Sequence, residues 1–305
     1  MTLDVNTILC AIDFSRFSPA VLDYAAGIAR GFGARVAVFH ALNVPGTRLP
    51  DEALCNPGAD AAEQVENTRL RIKNLVADRP IDWYAVIGAG DPVEAIEMYL
   101  HDHDVGLVMA ASYRLSGWKR LLGGTIVEAL ARSLTRPLLV VQALRASATR
   151  KIPSETGVAL QNILVACDLT AETDKLFTCA AAFARDFGSR LHFAHTIEAP
   201  VAENPPETAA GPYTEVQQTL KDRLHRQLIR RLPESLRSDT PFTAVVLQGN
   251  PADSLMDYAA ANAIDLIVVG VRPRHGLQKL LIGSTTETLL RRAPCEVLTV
   301  PCRDG

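Results

Sequence analysis

Two short segments in the second half of the chain carry residues suited to anion binding. An apolar run ends at Gly270, and Gly283, Ser284 and Thr285 follow where a helix is expected to begin. A glycine at a strand end lets a ligand approach the backbone, and a Gly-Ser-Thr helix start presents N–H groups and hydroxyls to an anion. These residues predict a phosphate site. The alternative, in which the glycines only form turns and Ser284 caps the helix, stays open at this point.

These residues must be positioned by strands and helices that alternate along the chain. Short β-type runs end in an acidic residue, and the Ala-rich helical patterns that follow them close on Gly33 and Gly188. The remaining strand patterns cover 36–42, 83–87, 105–110, 138–141, 191–197, 243–247, 266–269 and 297–300, and further helices are expected at 61–76 and 214–232 and from Pro92 and Pro251. Such alternation predicts right-handed crossovers and an α/β fold with doubly wound parallel sheets, whose ligands bind beyond the carboxyl ends of the strands.

The chain is a tandem repeat of one domain. Residues 8–42 and 163–197 align without a gap at an offset of 155, and 12 of the 35 positions are identical. The later parts of the two halves align at an offset of 159, which pairs Leu121 with Leu280 and Val141 with Val300. A repeat of this length is a whole globular unit and not a solenoid repeat. We therefore expect domains at 1–144 and 160–305, joined by a linker at 145–159.

The composition argues against nucleic acid, a membrane, a disulfide framework and a structural metal. The net charge of -3, with 21% charged residues of both signs, offers no global field for nucleic acid or an anionic membrane. No apolar stretch approaches the roughly 18 residues of a membrane helix and no secretory signal opens the sequence, so we expect a cytoplasmic protein. The 6 cysteines are scattered without a CxxC pair, so no disulfide framework and no structural metal are expected.

Three motifs, each present in both halves, resemble those of the universal stress protein family. They are Asp-x-Ser/Thr after the first strand, Gly-x-Pro before the third helix, and a Gly-Ser or Gly-Thr before the last helix. The resemblance covers nearly the whole chain, twice. It implies, for each domain, a five-stranded parallel sheet of order 3-2-1-4-5 with helices on both faces, the adenine nucleotide alpha hydrolase-like fold. In this family, a Gly-x2-Gly-x9-Gly-Ser/Thr pattern distinguishes members that bind ATP.

The resemblance implies a nucleotide site in domain 2. Asp168 would lie by the ribose and Thr196 near the adenine, with Gly270 in the nucleotide loop and Gly283, Ser284 and Thr285 at the phosphates. The ligand would be ATP or ADP, with or without Mg²⁺. The middle glycine of the pattern is replaced by Pro273, which has no N–H to donate and excludes a positive φ. The cations around it either compensate for that donor or form a solvated loop; they are Arg272, Arg274, His275 and Lys279.

Domain 1 departs further from the same pattern. Ala111 stands where the first glycine belongs, and Arg114 where the second does. The residues that would still form a weaker nucleotide site are Asp13, Ala41 on the adenine side, Arg114, Gly124 and Thr125. Alternatively, a remnant of the site would hold an anion by Arg114 and the Gly124-Thr125 helix start.

Two other groups of residues have a chemical and a structural interpretation. His40 and His195 occupy equivalent positions, either as catalytic bases or as paired core or rim histidines, and the second interpretation is favoured. An arginine run on the helix at 214–232 is either a docking surface or, as favoured, a solvated face. Neither half contains a P-loop, and no carboxylate and histidine are spaced to activate water. We therefore predict no catalytic residues and no efficient hydrolysis.

The leading hypothesis is a nucleotide-responsive regulator that works with an unidentified protein partner. Pro/Gly-rich loops at 44–60 and 199–212 are expected to move beside the site. The family resemblance also implies an antiparallel pairing of the last strands of the two domains, an intrachain pseudo-dimer that leaves room for a further homodimer. Two alternatives are a scaffold that binds no nucleotide and a slow ATPase.

Overall fold

Strands and helices alternate through the part of the chain that the computed structural model describes, residues 3–42, 61–112, 126–142, 157–158, 160–170, 173–198, 210–271 and 282–302. The first half contains β1 (Thr7–Ala11), α1 (Ser18–Phe32), β2 (Arg35–Leu42), α2 (Ala61–Val76), β3 (Trp83–Ala89), α3 (Pro92–Asp102), β4 (Leu107–Ser112), α4 (Ile126–Ser133) and β5 (Leu138–Gln142). The second half contains β6 (Asn162–Ala166), α5 (Thr173–Phe187), β7 (Arg190–Ile197), α6 (Ala210–Arg231), α7 (Glu234–Asp239), β8 (Phe242–Gln248), α8 (Pro251–Ala261), β9 (Leu266–Val271), α9 (Ser284–Arg292) and β10 (Glu296–Pro301).

All ten strands belong to one continuous sheet. Its order is β3-β2-β1-β4-β5-β10-β9-β6-β7-β8, so each half has the predicted order 3-2-1-4-5. Neighbouring strands within a half are parallel. The halves meet where β5 and β10 pair antiparallel, with Val140 opposite Val297 and Leu138 opposite Thr299. The pairing of last strands that the resemblance implied is therefore present.

Helices cover both faces of this sheet, which explains why the central strands are apolar throughout. One buried cluster contains Val21 of α1, Ile72 of α2 and Phe183 of α5, and it runs across both halves. A second cluster, on the other face, contains residues of α3, α4, α8 and α9, among them Leu130 and Leu289. Strands buried on both faces are typical of doubly wound parallel sheets. Within the described residues, no helix combines the length and apolar character needed to cross a membrane.

Side chains join the two halves on both faces. On one face the ring centroids of Phe32 (α1) and Phe183 (α5) lie 5.0 Å apart. A methyl group on Gly31 would lie 2.3 Å from the tip of the Phe187 ring, so this ring occupies the space that glycine leaves open. On the other face Arg291 (α9) contacts Glu128 (α4). The joint between the domains is thus a packed core and not only a strand pairing.

Most predicted boundaries hold, and a few differ for identifiable reasons. Helices α1 and α5 end as expected, with Gly33 at φ 67° and Gly188 at φ 65°. The helix α7 was missed; it begins after Pro233, whose fixed φ suits a helix start. The strand predicted from residue 105 begins at Leu107. Gly106 packs against the backbone of Asp4, where an added Cβ would lie 2.2 Å from the carbonyl oxygen.

Several sequence predictions fall outside the described residues. The loop at 44–60, the greater part of the loop at 199–212 and most of the linker at 145–159 belong here. At the end of that linker, Val158 is buried in the core that α1 and α5 share. The position of the linker otherwise stays a prediction.

Candidate functional site

A cavity of about 290 Å³ opens at the carboxyl ends of β6, β7 and β9 in domain 2. Its wall includes four of the six residues predicted for this site, namely Asp168, Thr196, Gly270 and Thr285. The remaining two, Gly283 and Ser284, immediately precede Thr285 along the chain and are exposed. Because it opens at the carboxyl ends of parallel strands, the cavity lies where ligands bind in doubly wound sheets.

The turn that follows β6 holds Asp168 by a dense set of hydrogen bonds. Its Oδ1 accepts from the backbone N–H of Thr170 at 3.0 Å and from the hydroxyls of Thr170 and Thr173 at 2.7 and 2.9 Å. Leu169, between them, has a φ of 60°. A left-handed conformation at a branched residue costs on the order of 1 kcal/mol or more, so this turn stores strain beside the cavity. The carboxylate is fixed before any ligand arrives.

Domain 1 repeats this turn. Asp13 Oδ1 accepts from the N–H of Ser15 at 2.9 Å and from the hydroxyl of Ser18 at 3.2 Å. Phe14 has a φ of 58°, matching the strained Leu169. In both domains the aspartate is thus held by the backbone N–H two residues on and by a hydroxyl five residues on.

The two equivalent histidines make one structural hydrogen bond each. His195 Nδ1 lies 2.8 Å from the carbonyl oxygen of Cys167, and His40 Nδ1 lies 2.9 Å from that of Ile12. Because a carbonyl can only accept, each Nδ1 carries the proton, and Nε2 of the neutral ring is an acceptor. Burial lowers the pKa of His40, which favours its neutral form. His40 is buried, and His195 lies at the rim of the cavity. Their interpretation as core or rim histidines and not catalytic bases stays a prediction.

The end of β9 and the start of α9 form the side of the cavity next to the predicted phosphate residues. A methyl group on Gly270 would lie 3.0 Å from Cys302 Sγ and 3.4 Å from Leu176, so the position is tight, and the glycine does not have a positive φ. Thr286 is buried, and its hydroxyl donates to the Gly270 carbonyl at 3.3 Å. This bond fixes the first turn of α9 against the strand end.

The N-terminus of α9 lacks a side-chain cap, whereas those of α3 and α8 have one. Asp91 caps α3 and Asn250 caps α8, each accepting from two backbone N–H groups. The N-cap residue of α9 is Gly283, with no side-chain cap bond, and Ser284 is the first helical residue. The alternative in which Ser284 caps the helix is therefore wrong. Helix N-termini attract anions, because the first N–H groups have no intrahelical partner and the dipole is positive there.

Two cysteines in the wall were not predicted as site residues. Cys167 and Cys302 are both buried. Burial raises the pKa of the Cys167 thiol, so it is held protonated and is a poor nucleophile. Because Cys167 directly precedes Asp168, its place in the site could have been predicted from the sequence. Cys302 reaches the site only because β10 neighbours β9. Among the described residues no three His, Cys, Asp or Glu side chains are grouped to hold a metal ion.

The equivalent region of domain 1 is built differently. Phe14 packs on His40 with ring centroids 4.5 Å apart, and the guanidinium of Arg71 lies 3.9 Å from the centre of the Phe14 ring. Ala41, the predicted adenine neighbour, is buried in the cluster on the other face of the sheet. The predicted residues Arg114, Gly124 and Thr125 lie outside the described part of the chain. Of the domain 1 prediction, only Asp13 and Ala41 can be placed.

Comparisons with known proteins agree with this architecture. A sequence model of the Universal stress protein family matches residues 5–142 and again 159–301. A universal stress protein from Thermus aquaticus is 33% identical over 141 residues, which are 46% of this chain and 98% of that protein, and universal stress protein A homolog 1 of Coxiella burnetii is 32% identical over 143 residues, 46% of this chain and 95% of its own. Among solved structures, a universal stress protein from Archaeoglobus fulgidus covers 99% of this chain and 98% of its own length, with a TM-score of 0.66 at 18% identity. That last likeness supports the fold alone.

Proposed function

Because the chain belongs to the universal stress protein family, as a tandem two-domain member, we propose that it binds ATP or a related adenine nucleotide in the cavity of domain 2. One observation carries the proposal. Asp168, Thr196, Gly270 and Thr285, assigned to ribose, adenine, loop and phosphate from the family pattern, all line this single cavity. They come from four separate places in the chain, so their meeting is not a consequence of sequence proximity.

The residues present fit such a ligand. Ligand cavities run from about 300 to 1,000 Å³, and the ≈ 290 Å³ found here suits a nucleoside, with the phosphates extending from the Thr285 side of its wall. Outside it lie the exposed Gly283 and Ser284, at the end of a helix without a side-chain cap. The carboxylate of Asp168 would accept from ribose hydroxyls, and the N–H groups at the start of α9 would donate to a phosphate.

In this proposal the protein binds the nucleotide without hydrolysing it efficiently. The Oδ1 atom of Asp168 already accepts three hydrogen bonds, and Nδ1 of His195 is used by a backbone carbonyl. The Nδ1 proton of His195 is thus donated to a backbone carbonyl and not to a carboxylate, and neither half contains a P-loop, which supports binding without efficient hydrolysis. The nucleotide would act by changing the surface that a protein partner contacts. A cytoplasmic location, optional Mg²⁺ and a further homodimer belong to this proposal and rest on the family resemblance.

A scaffold that binds no nucleotide is the second candidate, and Ala111 favours it for domain 1. At the position equivalent to Gly270, this alanine places a methyl group where the family pattern has a bare backbone. We therefore propose that domain 2 holds the main site and that domain 1 binds nucleotide weakly.

The test is to identify small molecules that co-purify with the protein. Wild type and Ser284→Ala would be denatured and the released compounds measured by mass spectrometry, with Ser254→Ala as a control on another helix. We expect ATP or ADP near one per chain in wild type and in the control, and less in Ser284→Ala. Absence of nucleotide, together with no thermal shift on adding Mg-ATP, would favour the scaffold.

A further inference from the structure

The helix α9 belongs to the proposed nucleotide site at one end and to the domain joint at the other. Its first turn contributes Thr285 to the cavity wall and is bonded to Gly270 through Thr286. Its last turn contains Leu290 and Arg291, which contact domain 1. With a rise of about 1.5 Å per residue, the two ends are about 9 Å apart, so a single rigid rod connects the cavity to the other domain.

Domain 1 completes the hydrogen bonding of the C-terminal end of α9. The carbonyl oxygen of Leu290 accepts from Ser112 Oγ and from Gln142 Nε2, each at 3.3 Å. The last carbonyls of a helix have no intrahelical partner and need such donors. Ser112 ends β4 and Gln142 ends β5, so both donors stand at the carboxyl edge of the domain 1 sheet.

A bidentate ion pair fixes the same end of the helix. Arg291 Nε and Nη2 donate to the two carboxylate oxygens of Glu128 at 2.6 and 3.1 Å. Glu128, on α4, is 1% exposed, and Arg291 also contacts Glu287 at 2.7 Å. A two-pronged contact of this kind sets orientation as well as distance. Rotation or sliding of α9 would break it.

Two of these contacts have no counterpart at the equivalent positions of domain 2. At the offset of 159, Glu128 and Arg132 correspond to Glu287 and Arg291. Ser112 and Gln142, however, correspond to Val271 and Pro301, which have no side-chain donor. Domain 1 therefore holds the end of α9 by two side-chain hydrogen bonds that Val271 and Pro301 cannot make to α4.

We propose that domain 1 sets the ligand affinity of the domain 2 cavity through α9. Ser112, Gln142 and Glu128 are positioning residues, since they hold the helix whose first turn faces the ligand and touch no ligand themselves. The proposal rests on the proposed nucleotide site of domain 2. Domain 1, whose own site departs further from the family pattern, then has a regulatory role. A change at the carboxyl edge of its sheet would alter the hydrogen bonds to the Leu290 carbonyl and so the position of α9 at the nucleotide site.

The test uses the full chain with the double substitution Ser112→Ala and Gln142→Leu, which removes both donors without leaving a buried charge. We expect ATP affinity, measured calorimetrically, to fall about tenfold, within the usual range of coupling between sites. Affinity for adenosine should change much less, because the phosphates are what α9 contacts. Glu128→Gln, which keeps the shape of the side chain, should give a smaller change of the same sign.

Amide hydrogen exchange supplies a measurement that does not depend on a ligand. The Glu287 amide donates to the Gly283 carbonyl at 3.0 Å, in the first turn of α9, and should exchange faster in the double variant. The control is Phe32→Leu, which loosens the joint on the opposite face of the sheet, away from α9. Its loss of stability should not change ATP affinity or speed exchange at Glu287 beyond the global effect.

The outcomes separate the two proposals. Unchanged exchange at Glu287 in the double variant would overturn the positioning role, and so would an equal effect in Phe32→Leu. If wild type binds no nucleotide at all, the proposed function fails, while the exchange comparison still decides whether domain 1 positions the first turn of α9.

Discussion

The two domains share one turn and differ in what surrounds it. Asp13 and Asp168 are held by the same type of hydrogen bonds, next to residues with nearly the same positive φ. In domain 1 the strained residue is Phe14, which packs on a buried His40, whereas in domain 2 it is Leu169, and His195 stays partly exposed at a cavity. Duplication has kept the framework of the site while the residues that would face a ligand have diverged.

The largest expected effect concerns two arginines at equivalent positions of the two domains, Arg291 and Arg132. Arg291→Ala removes the bidentate partner of a buried carboxylate, and we expect it to lower the free energy of unfolding by about 3 kcal/mol. Arg132→Ala, the equivalent change in domain 1, should cost less than about 1 kcal/mol, because Glu287 is partly exposed and keeps its contact with Arg291. Denaturant unfolding measures both. Equal losses would mean that the joint is electrostatically symmetric.

A smaller effect on stability is expected at the position where domain 2 has Gly270 and domain 1 has Ala111. Gly270→Ala places a methyl group 3.0 Å from Cys302 Sγ, and overpacking of this kind costs about 1–3 kcal/mol of stability. ATP affinity should fall as well, since the cavity wall must shift. Ala111→Gly should lower stability by only about 0.5–1 kcal/mol. If Gly270→Ala left ATP binding intact, this glycine would not be what distinguishes the two sites.

The smallest effect is a dependence of stability on pH. Burial is the main cause that lowers the pKa of His40 in domain 1 and of His192 in domain 2. Since the folded-state pKa lies below the unfolded value of about 6.5, the unfolded chain binds protons first, and stability falls as the pH drops below that value. His40→Asn, which can keep a donor to the Ile12 carbonyl, should flatten the unfolding free energy between pH 7 and 5. An unchanged slope would contradict the burial argument.

Local signals in the sequence account for the parts of the fold that were predicted. Ala-rich helical patterns closed by Gly33 and Gly188 gave the limits of α1 and α5, because a left-handed residue ends a helix wherever the rest of the chain lies. The strand order came from the family resemblance. The short helix α7 was missed because its six residues carry no apolar period long enough to recognise.

The candidate site was predictable in part for the same reason. Asp168, Gly270 and Thr285 are marked by motifs, and the repeat shows where each belongs. Cys302 and Leu176 carry no such mark, since they approach Gly270 only through strand order and helix packing. The pair of Glu128 and Arg291, 163 positions apart, likewise depends on the antiparallel joining of the two sheets. Contacts between distant segments are what a motif cannot show.

The most direct test of the account is a calorimetric titration of ATP into wild type, Asp168→Asn and Asp13→Asn. The two substitutions alter the same turn in the two domains, so each is the control for the other. We predict nearly one ATP per chain in wild type and in Asp13→Asn, and affinity weakened about tenfold or more in Asp168→Asn, as expected for loss of a hydrogen bond to a charged group. Equal weakening by both substitutions, or weakening by Asp13→Asn alone, would contradict the assignment of the site to domain 2.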